Sequence, residues 1–236
     1  MIGTFLNVAT VLLGGFLGLL FGARVPERLK ATVVAGMGLF TAGIGLQMFL
    51  KTENAIIVLG SLLIGALLGE WWRIEDGLEA LGQRLESRFG GNAASPADSS
   101  RFIKGFLTTS LLFCVGPMTI LGSIQDGLSG DYSLLAVKSV LDGFGALAFA
   151  STLGPGVLFS SLIILMYQGA ITLLAAQLTA VVTQSMMNEL TAAGGLILVG
   201  LAISSLLEIK KIRTANLLPA LVVAPLIVWF LSMLGR

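Results

Sequence analysis

The feature of this sequence that most constrains its fold is a series of long apolar stretches that recur along almost the whole chain. An α-helix rises about 1.5 Å per residue, so roughly 20 apolar residues are enough to cross the ~30 Å hydrocarbon layer of a bilayer. Only 11% of the residues are charged, against roughly 25% in a soluble domain, and this leaves too little polar surface to face water. The sequence therefore predicts an all-α integral membrane protein.

Eight stretches reach this length, so about eight transmembrane helices are expected. The fourth and fifth have an alternative as a re-entrant hairpin, which would leave the sidedness of the other helices unchanged. The predicted spans are Ile2–Phe21, Ala31–Leu50, Ala55–Trp72, Gly105–Ile124, Leu134–Leu153, Val157–Val181, Leu190–Leu207 and Thr214–Leu234.

The positions of the lysines and arginines test this helix count, because short cytoplasmic loops hold these residues in excess. Eight crossings place eleven of the 14 on one face, Lys51 and Arg236 on the other, and Lys138 inside a helix. This asymmetry predicts that both termini lie outside. No basic residue precedes the first apolar stretch and its positive charges follow it, so a retained first helix is predicted rather than a cleaved signal peptide. The predicted cytoplasmic residues are Arg24, Arg28, Lys30, Arg73, Arg84, Arg88, Arg101, Lys104, Lys210, Lys211 and Arg213.

One segment is polar enough to lie outside the bilayer. Residues 74–89 repeat apolar side chains at helical spacing, which predicts an amphipathic helix along the headgroups that continues the third span. Residues 90–96 are rich in small residues and predict a flexible tether. The predicted division is a first three-helix repeat (1–72), the amphipathic helix and linker (73–104), a central helix pair with a broken helix (105–153) and a second three-helix repeat (154–236).

The two predicted three-helix repeats resemble each other in sequence. Residues 33–46 align without gaps on residues 190–203, with small residues matched to small residues. One helix earlier, Asn7 precedes a pair of small residues by the same spacing as Gln168 does. Two intervening crossings give the copies opposite orientations, which is the inverted-repeat plan of many secondary transporters.

Charge and composition exclude several classes of function. The formal net charge is +1, which offers nucleic acid no excess of positive charge. The chain has no histidine and one cysteine, Cys114, so histidine-based catalysis, histidine-containing zinc sites and an internal disulfide are excluded. We therefore expect no enzyme activity, no cofactor and no nucleic-acid partner.

Among the few ionisable residues inside the predicted spans, two lie clearly within the apolar part, Lys138 and Asp142 in the fifth span. A charge at a helix centre costs about 2.5 to 3.5 kcal/mol on insertion scales, so each needs a reason. They are four residues apart, which places both on one helical face where the ammonium can pair with the carboxylate. The pair has two interpretations: a buried ion pair that fixes packing, or a carboxylate on a water-filled route that binds a cation or carries a proton.

A second sequence pattern favours the functional interpretation. Ser139 and Asp142 repeat the Ser-x-x-Asp-Gly spacing of Ser123 and Asp126, and such oxygen ligands suit a small cation of unspecified identity. The Gly116-Pro117 pair breaks the fourth span and frees main-chain carbonyls, which is tolerated where a helix lines a cavity. Asp126 has an alternative position in the outer loop. The hydroxyls of Thr108, Thr109, Ser110 and Thr119 lie on the same broken span.

The remaining polar groups at mid-depth are Asn7, Tyr167 and Gln168. They are candidate ligands, although buried amides more often bridge helices. Glycines at four-residue spacing are expected to pack helices closely rather than to line a pore. These glycines are Gly14, Gly18 and Gly22 in the first span, and Gly65 and Gly69 in the third.

Several motifs carry a resemblance to a known family. They are Asn7 followed by Gly14-Gly15-x-x-Gly18, the loop 24–30, the stretch 116–131, Lys138-Ser139-x-x-Asp142-Gly143, and Tyr167-Gln168-Gly169. Together they resemble the YqgA-like family of uncharacterised bacterial integral membrane proteins over nearly the whole chain. The resemblance implies a bacterial cytoplasmic (inner) membrane protein, described in places as a sodium channel or pump and as influencing biofilm formation. It implies no established substrate and no assigned binding residues.

Two functions remain open at this point. The first is an ion-coupled carrier or channel for a small cationic solute, with Asp142 as the binding residue and Lys138 as its electrostatic partner. The second is a non-transporting membrane scaffold or signalling partner whose buried polar residues are structural. An intramembrane enzyme that uses Asp126 and Asp142 is disfavoured, because no supporting motif accompanies them. The expected partners are the lipid bilayer and a small ion or solute, with a homo-oligomer as one alternative for the assembly.

Overall fold

The structure, a computed structural model, describes residues 1–22, 26–89, 96–179 and 182–234. Within these ranges the chain forms helices and short connections, and no β-strand. A π-helical turn, Ala202–Leu206, extends α10, and a 3-10 turn, Thr214–Leu217, precedes α11. The helices are α1 (Ile2–Gly22), α2 (Glu27–Phe49), α3 (Ala55–Trp72), α4 (Ile74–Phe89), α5 (Pro96–Cys114), α6 (Pro117–Ser129), α7 (Ser133–Leu153), α8 (Gly156–Leu173), α9 (Ala175–Thr179), α10 (Gln184–Leu201) and α11 (Ala220–Met233).

Seven helices of the described ranges are long and apolar enough to cross a membrane. They are α1, α2, α3, α7, α8, α10 with its π turn, and α11 with the 3-10 turn before it. The pair α5 and α6 passes the same test when taken together and is bent by 62°, so the number of spans is up to eight. The prediction of an all-α membrane protein is confirmed.

The chain forms two compact units. The first contains Met1–Gly36, Glu79–Cys114 and Met118–Ala180, and the second contains Met37–Leu78, Val115–Pro117 and Val181–Arg236. The four-part division expected from the sequence stays a prediction, and so does the inverted repeat. Three sequence-based assignments, Arg24, the tether 90–96 as far as Ser95, and Arg236, lie outside the described residues.

In the first unit, α1 packs against α7 through the glycines that lie four residues apart. A Cβ atom added to Gly22 would lie 2.6 Å from the carbonyl oxygen of Ser151, and one added to Gly18 would collide with the carbonyl oxygen of Leu147. Gly14 meets the backbone of Gly143 in the same way. The two backbones therefore touch along three successive turns, as expected for small residues in membrane helices.

The second unit uses the same device between α3 and the segment that contains α11. A Cβ atom on Gly65 would lie 2.6 Å from the backbone nitrogen of Ala220, and one on Gly69 would collide with the carbonyl oxygen of Asn216. Gly45 of α2 and Gly195 of α10 each lie against the other's carbonyl oxygen. Small residues thus set the spacing of helices in this unit as well.

The amphipathic segment is a separate helix, α4, rather than a continuation of α3. Arg73 between them has a φ of 54°, a left-handed conformation that ends α3. Leu78 and Leu85 are half-buried, whereas Leu81 is exposed. The sequence-based expectation of one continuous helix was wrong at this residue, because a single left-handed residue redirects the chain.

Candidate functional site

The centre of the candidate site is the ion pair between Lys138 and Asp142 on α7. The Nζ atom of Lys138 donates a hydrogen bond to Oδ2 of Asp142, which lies four residues further along the helix, and the two groups form a salt bridge. The side chains are 8% and 11% exposed respectively. Asp142 is one residue from the midpoint of Ser133–Leu153, so its charge lies close to the middle of a transmembrane helix. The structure thus brings together the two residues that the four-residue spacing pairs.

A backbone carbonyl at the α5–α6 break completes the environment of the ammonium. The carbonyl oxygen of Phe113 accepts a hydrogen bond from Lys138 Nζ at 2.8 Å and one from Thr119 Oγ1 at 3.3 Å. In a continuous helix this carbonyl would accept from the N–H four residues later, and that residue is Pro117, which has none. The break therefore frees a carbonyl oxygen, and Lys138 is one of the donors that satisfy it.

Asn7 connects this pair to two further helices. Its Nδ2 atom donates to Asp142 Oδ2 and to Gln168 Oε1, both at 3.0 Å. The ionised carboxylate only accepts hydrogen bonds, so the amide nitrogen and not the amide oxygen must face Asp142. Gln168 Nε2 in turn lies 3.4 Å from the hydroxyl of Thr4, which lies 3.4 Å from that of Thr172. A polar network thus joins α1, α7 and α8 inside the first unit.

The charges and ligand types of the site limit what it can hold. It contains one carboxylate and one ammonium, so its formal charge is zero while Lys138 is bound. No group of three or more His, Cys, Asp or Glu side chains in the described part of the chain could hold a metal ion. A site with one carboxylate and a few neutral oxygens suits a proton or a singly charged cation better than a divalent metal.

Several buried polar atoms of the first unit have no hydrogen-bond partner among the described residues. An unsatisfied buried polar group costs about 1 to 3 kcal/mol, and native proteins contain few of them. Here they lie on α1, α5 and α6. The atoms are Asn7 Oδ1, Thr108 Oγ1, Ser110 Oγ, Ser123 Oγ and Asp126 Oδ1.

Asp126 does not join the Lys138–Asp142 pair. It lies inside α6 with its side chain 1% exposed. Its carboxylate accepts a hydrogen bond from Gly3 N at 3.1 Å and lies 2.9 Å from the α-amino nitrogen of Met1. It therefore caps the start of α1. Gly3 and Asn7 are four residues apart, which is about 6 Å along α1, so the two carboxylates contact that helix at different levels.

The alternative that places Asp126 in the outer loop together with Asp131 is wrong, because Asp126 is buried inside α6. Asp131 lies in the exposed connection between α6 and α7. The hydroxyl of Ser133, and then its backbone N–H, hold the pKa of the Asp131 carboxyl below its ordinary value. Asp131 is thus an exposed acid outside the spans, unlike the buried Asp126 five residues earlier.

The other sequence candidates have separate surroundings. The hydroxyl of Ser139 donates to the carbonyl oxygen of Leu135 in its own helix, at 2.6 Å, rather than to Asp142. Tyr167 is half-buried, and no hydrogen bond joins it to another described residue of the site. Gly116 lies in the break between α5 and α6. Of the ten candidates, Asn7, Thr119, Lys138, Asp142 and Gln168 form one connected network.

One buried acid escaped the sequence analysis. Glu189 is 1% exposed, because α10 begins at Gln184, six residues before the predicted span. Its carboxylate accepts from Thr52 Oγ1 and Glu53 N, both at 2.7 Å, and from Asn54 N at 3.0 Å. These donors lie at the start of α3, so Glu189 fixes that helix end in the second unit. The only signal in the sequence was an acid adjoining an apolar run.

Comparison with known proteins gives relatives but no assigned activity. The chain is 36% identical over 223 residues to "Uncharacterized protein YqgA" of Escherichia coli (strain K12), covering 94% of each chain. It is 29% identical over 239 residues to "Uncharacterized membrane protein YdfK" of Bacillus subtilis (strain 168), covering 100% of this chain and 99% of that protein. No solved structure matches the chain. The family model described as "Protein of unknown function (DUF554)" matches residues 2–229, and the resemblance found in the sequence is thereby confirmed: the chain belongs to this family of membrane proteins.

Proposed function

We propose that this protein transports a small cationic solute across the bacterial cytoplasmic membrane, as a carrier or channel, with both termini outside. Asp142 binds the cation, and Lys138 fills the site when no cation is bound. The observation that carries the proposal is the buried ion pair near the middle of α7, which contacts a carbonyl that the α5–α6 break frees.

Energetic considerations favour a functional over a structural reason for this pair. Replacing a buried ion pair by well-packed apolar residues is often neutral, or stabilising by about 1 to 4 kcal/mol. A pair of charges inside a transmembrane helix therefore brings no stability that two leucines would not supply. Ionisable residues at this depth typically mark ion or proton pathways.

The surroundings of the pair allow Lys138 to leave the carboxylate without losing every partner. The ammonium already donates to the Phe113 carbonyl oxygen at 2.8 Å. A cation that binds Asp142 would displace Lys138 from the carboxylate while that second hydrogen bond remains. Asn7 keeps the carboxylate oriented in both states, because its amide is also held by Gln168.

The competing function is a non-transporting scaffold, and one observation favours it. The network of Thr4, Asn7, Gln168 and Thr172 joins helices in the way expected of a purely structural fastening. On this interpretation Asp142 serves only to hold α1 against α7, and no solute crosses the protein.

Flux in proteoliposomes distinguishes the two functions. The unaltered protein and Asp142→Asn are reconstituted, and uptake of monovalent and divalent cations is screened together with internal pH. Asp131→Asn is the matched control, because it makes the same chemical change at an exposed acid outside the spans. Transport predicts cation flux that Asp142→Asn abolishes, although the variant remains folded, and that Asp131→Asn preserves. Absence of flux in the unaltered protein, together with lower stability of Asp142→Asn, would favour the scaffold.

A further inference from the structure

The groups around Lys138 Nζ indicate which kind of ligand could take the place of its ammonium group. Among the described residues, its hydrogen-bond partners are the carboxylate of Asp142 and the carbonyl oxygen of Phe113. Both are hydrogen-bond acceptors, and they come from two different helices, α7 and α5. The carbonyl contact at 2.8 Å is an ordinary charge-assisted hydrogen bond. The site is thus built around an N–H donor that carries one positive charge.

A bare metal ion fits the same surroundings less well. Calcium takes about six to eight oxygen ligands, and magnesium requires an octahedral set. The described residues supply one carboxylate here, and no group of three acidic, histidine or cysteine side chains exists in these ranges to extend it. Asn7 meets that carboxylate through its amide nitrogen, which is an N–H donor and not a metal ligand.

We propose that the site binds a protonated amine, either the ammonium ion or the head of a small primary alkylammonium, and that Lys138 is its tethered substitute. This inference rests on the proposed function and names the chemical class of its solute. Lys138 satisfies the carboxylate and the carbonyl in the empty state. The solute replaces it at the carboxylate with the same charge and the same kind of N–H donor, while Lys138 keeps its hydrogen bond to the Phe113 carbonyl oxygen.

Chemical rescue tests the inference without relying on flux. Lys138→Ala removes the three outer methylene groups and the ammonium, and n-propylammonium supplies the same number of carbons with the same charged group. The variant is expected to unfold at a lower temperature than the unaltered protein. Addition of n-propylammonium chloride should raise its Tm by several degrees in a saturable manner, since a ligand bound only by the folded state stabilises it. Methylammonium should raise the Tm by less, because it fills less of the space that the truncated Lys138 side chain leaves.

Three controls make this result specific. Tetramethylammonium has the charge but no N–H donor, and sodium has the charge without any hydrogen-bond donor, so neither should raise the Tm of Lys138→Ala. The double variant Lys138→Ala/Asp142→Asn lacks the carboxylate and should not respond to n-propylammonium. Lys51→Ala alters an exposed lysine and should behave as the unaltered protein. Equal stabilisation by sodium or tetramethylammonium, or none by n-propylammonium in a folded variant, would overturn the inference.

The unaltered protein supplies a second measurement that does not depend on the folding of the variant. Labelled methylammonium should enter proteoliposomes at a pH that keeps it protonated, faster than into protein-free liposomes, and excess ammonium should compete. Sodium flux without methylammonium flux would overturn the inference and leave the proposed transport standing. Rescue of Lys138→Ala without any flux would retain the amine site and reject transport. Failure of n-propylammonium to stabilise a folded Lys138→Ala variant rejects the amine site whatever the flux.

Discussion

The carbonyl oxygen of Phe113 accepts a hydrogen bond from Lys138 Nζ at 2.8 Å. This carbonyl has no backbone N–H partner in its own helix, because α5 ends at Cys114. The residue whose N–H would occupy this carbonyl in a continuous helix is Pro117. The break, the freed carbonyl and the buried ammonium therefore belong to one arrangement.

Restoring the missing N–H should make α5 and α6 more continuous and should impair the site. Pro117→Ala supplies an N–H that can bond the carbonyl oxygen of Phe113, and since Pro117 is the first residue of α6, where proline is well tolerated, the change itself should leave the stability nearly unaltered. We expect the α5–α6 bend of 62° to decrease, the Lys138–Phe113 hydrogen bond to weaken and cation flux to fall at least tenfold, with a Tm no lower than before. Full flux in this variant would show that the freed carbonyl has no part in transport.

Asn7 should contribute stability through its hydrogen bond to a charged partner. Hydrogen bonds to charged groups contribute about 1.5 to 3 kcal/mol, and Asn7→Ala also leaves Gln168 Oε1 without this donor. We expect the free energy of unfolding in detergent to fall by about 2 to 4 kcal/mol. Asn188→Ala, which removes a half-buried amide whose hydrogen bond to Glu53 is exposed to solvent, should change it by less than about 0.5 kcal/mol. Similar small changes in both variants would contradict the role assigned to Asn7.

The α1–α7 contact should tolerate no added methyl group. Gly18→Ala places a Cβ against the carbonyl oxygen of Leu147, and such overpacking costs about 1 to 3 kcal/mol. Gly43→Ala is the matched control, because Gly43 is also inside a helix but has nothing within 4 Å of the added Cβ. Alanine there should be neutral or stabilising by up to about 1 kcal/mol. The free energies of unfolding of the two variants are measured under the same conditions. A Gly18→Ala variant more stable than Gly43→Ala would contradict the close α1–α7 contact.

Cys114 offers a label beside the break that needs no other cysteine to be removed, because it is the only one in the chain. It is 8% exposed and is the last residue of α5, next to Phe113, whose carbonyl oxygen accepts from Lys138. We expect slow modification by a small thiol reagent, and a change of at least severalfold when the transported cation is added. Asp142→Asn should remove that dependence. An identical labelling rate with every cation tested would contradict a mobile, solute-dependent site.

The helices and the central ion pair could be predicted from sequence, because both depend on local periodicity. Apolar length fixes a span such as Ala55–Trp72, which the structure reproduces at both ends. The spacing of Lys138 and Asp142 is a property of one helix. The freed carbonyl of Phe113 also follows from Pro117 and the four-residue hydrogen-bond rule, although the sequence did not say which donor would reach it.

The contacts between distant segments could not be predicted in this way. Asn7 meets Asp142 across 135 residues, and nothing in either helix alone specifies that partner. Asp126 bonds Gly3 because α6 and the start of α1 meet in three dimensions, so its pattern-based grouping with Asp142 did not follow. Glu189 was missed because helices extend past their apolar stretch wherever a tertiary partner satisfies the polar residues.

Infrared difference spectroscopy tests most directly whether a cation binds the carboxylate of Asp142. The reconstituted protein is exchanged between buffers with and without ammonium or another transported cation, and the carboxylate stretching bands are compared. We expect a saturable band shift in the unaltered protein and in Asp131→Asn, and no such shift in Asp142→Asn. A shift that persists in folded Asp142→Asn, or the absence of any cation-induced shift in the unaltered protein, would contradict cation binding at Asp142.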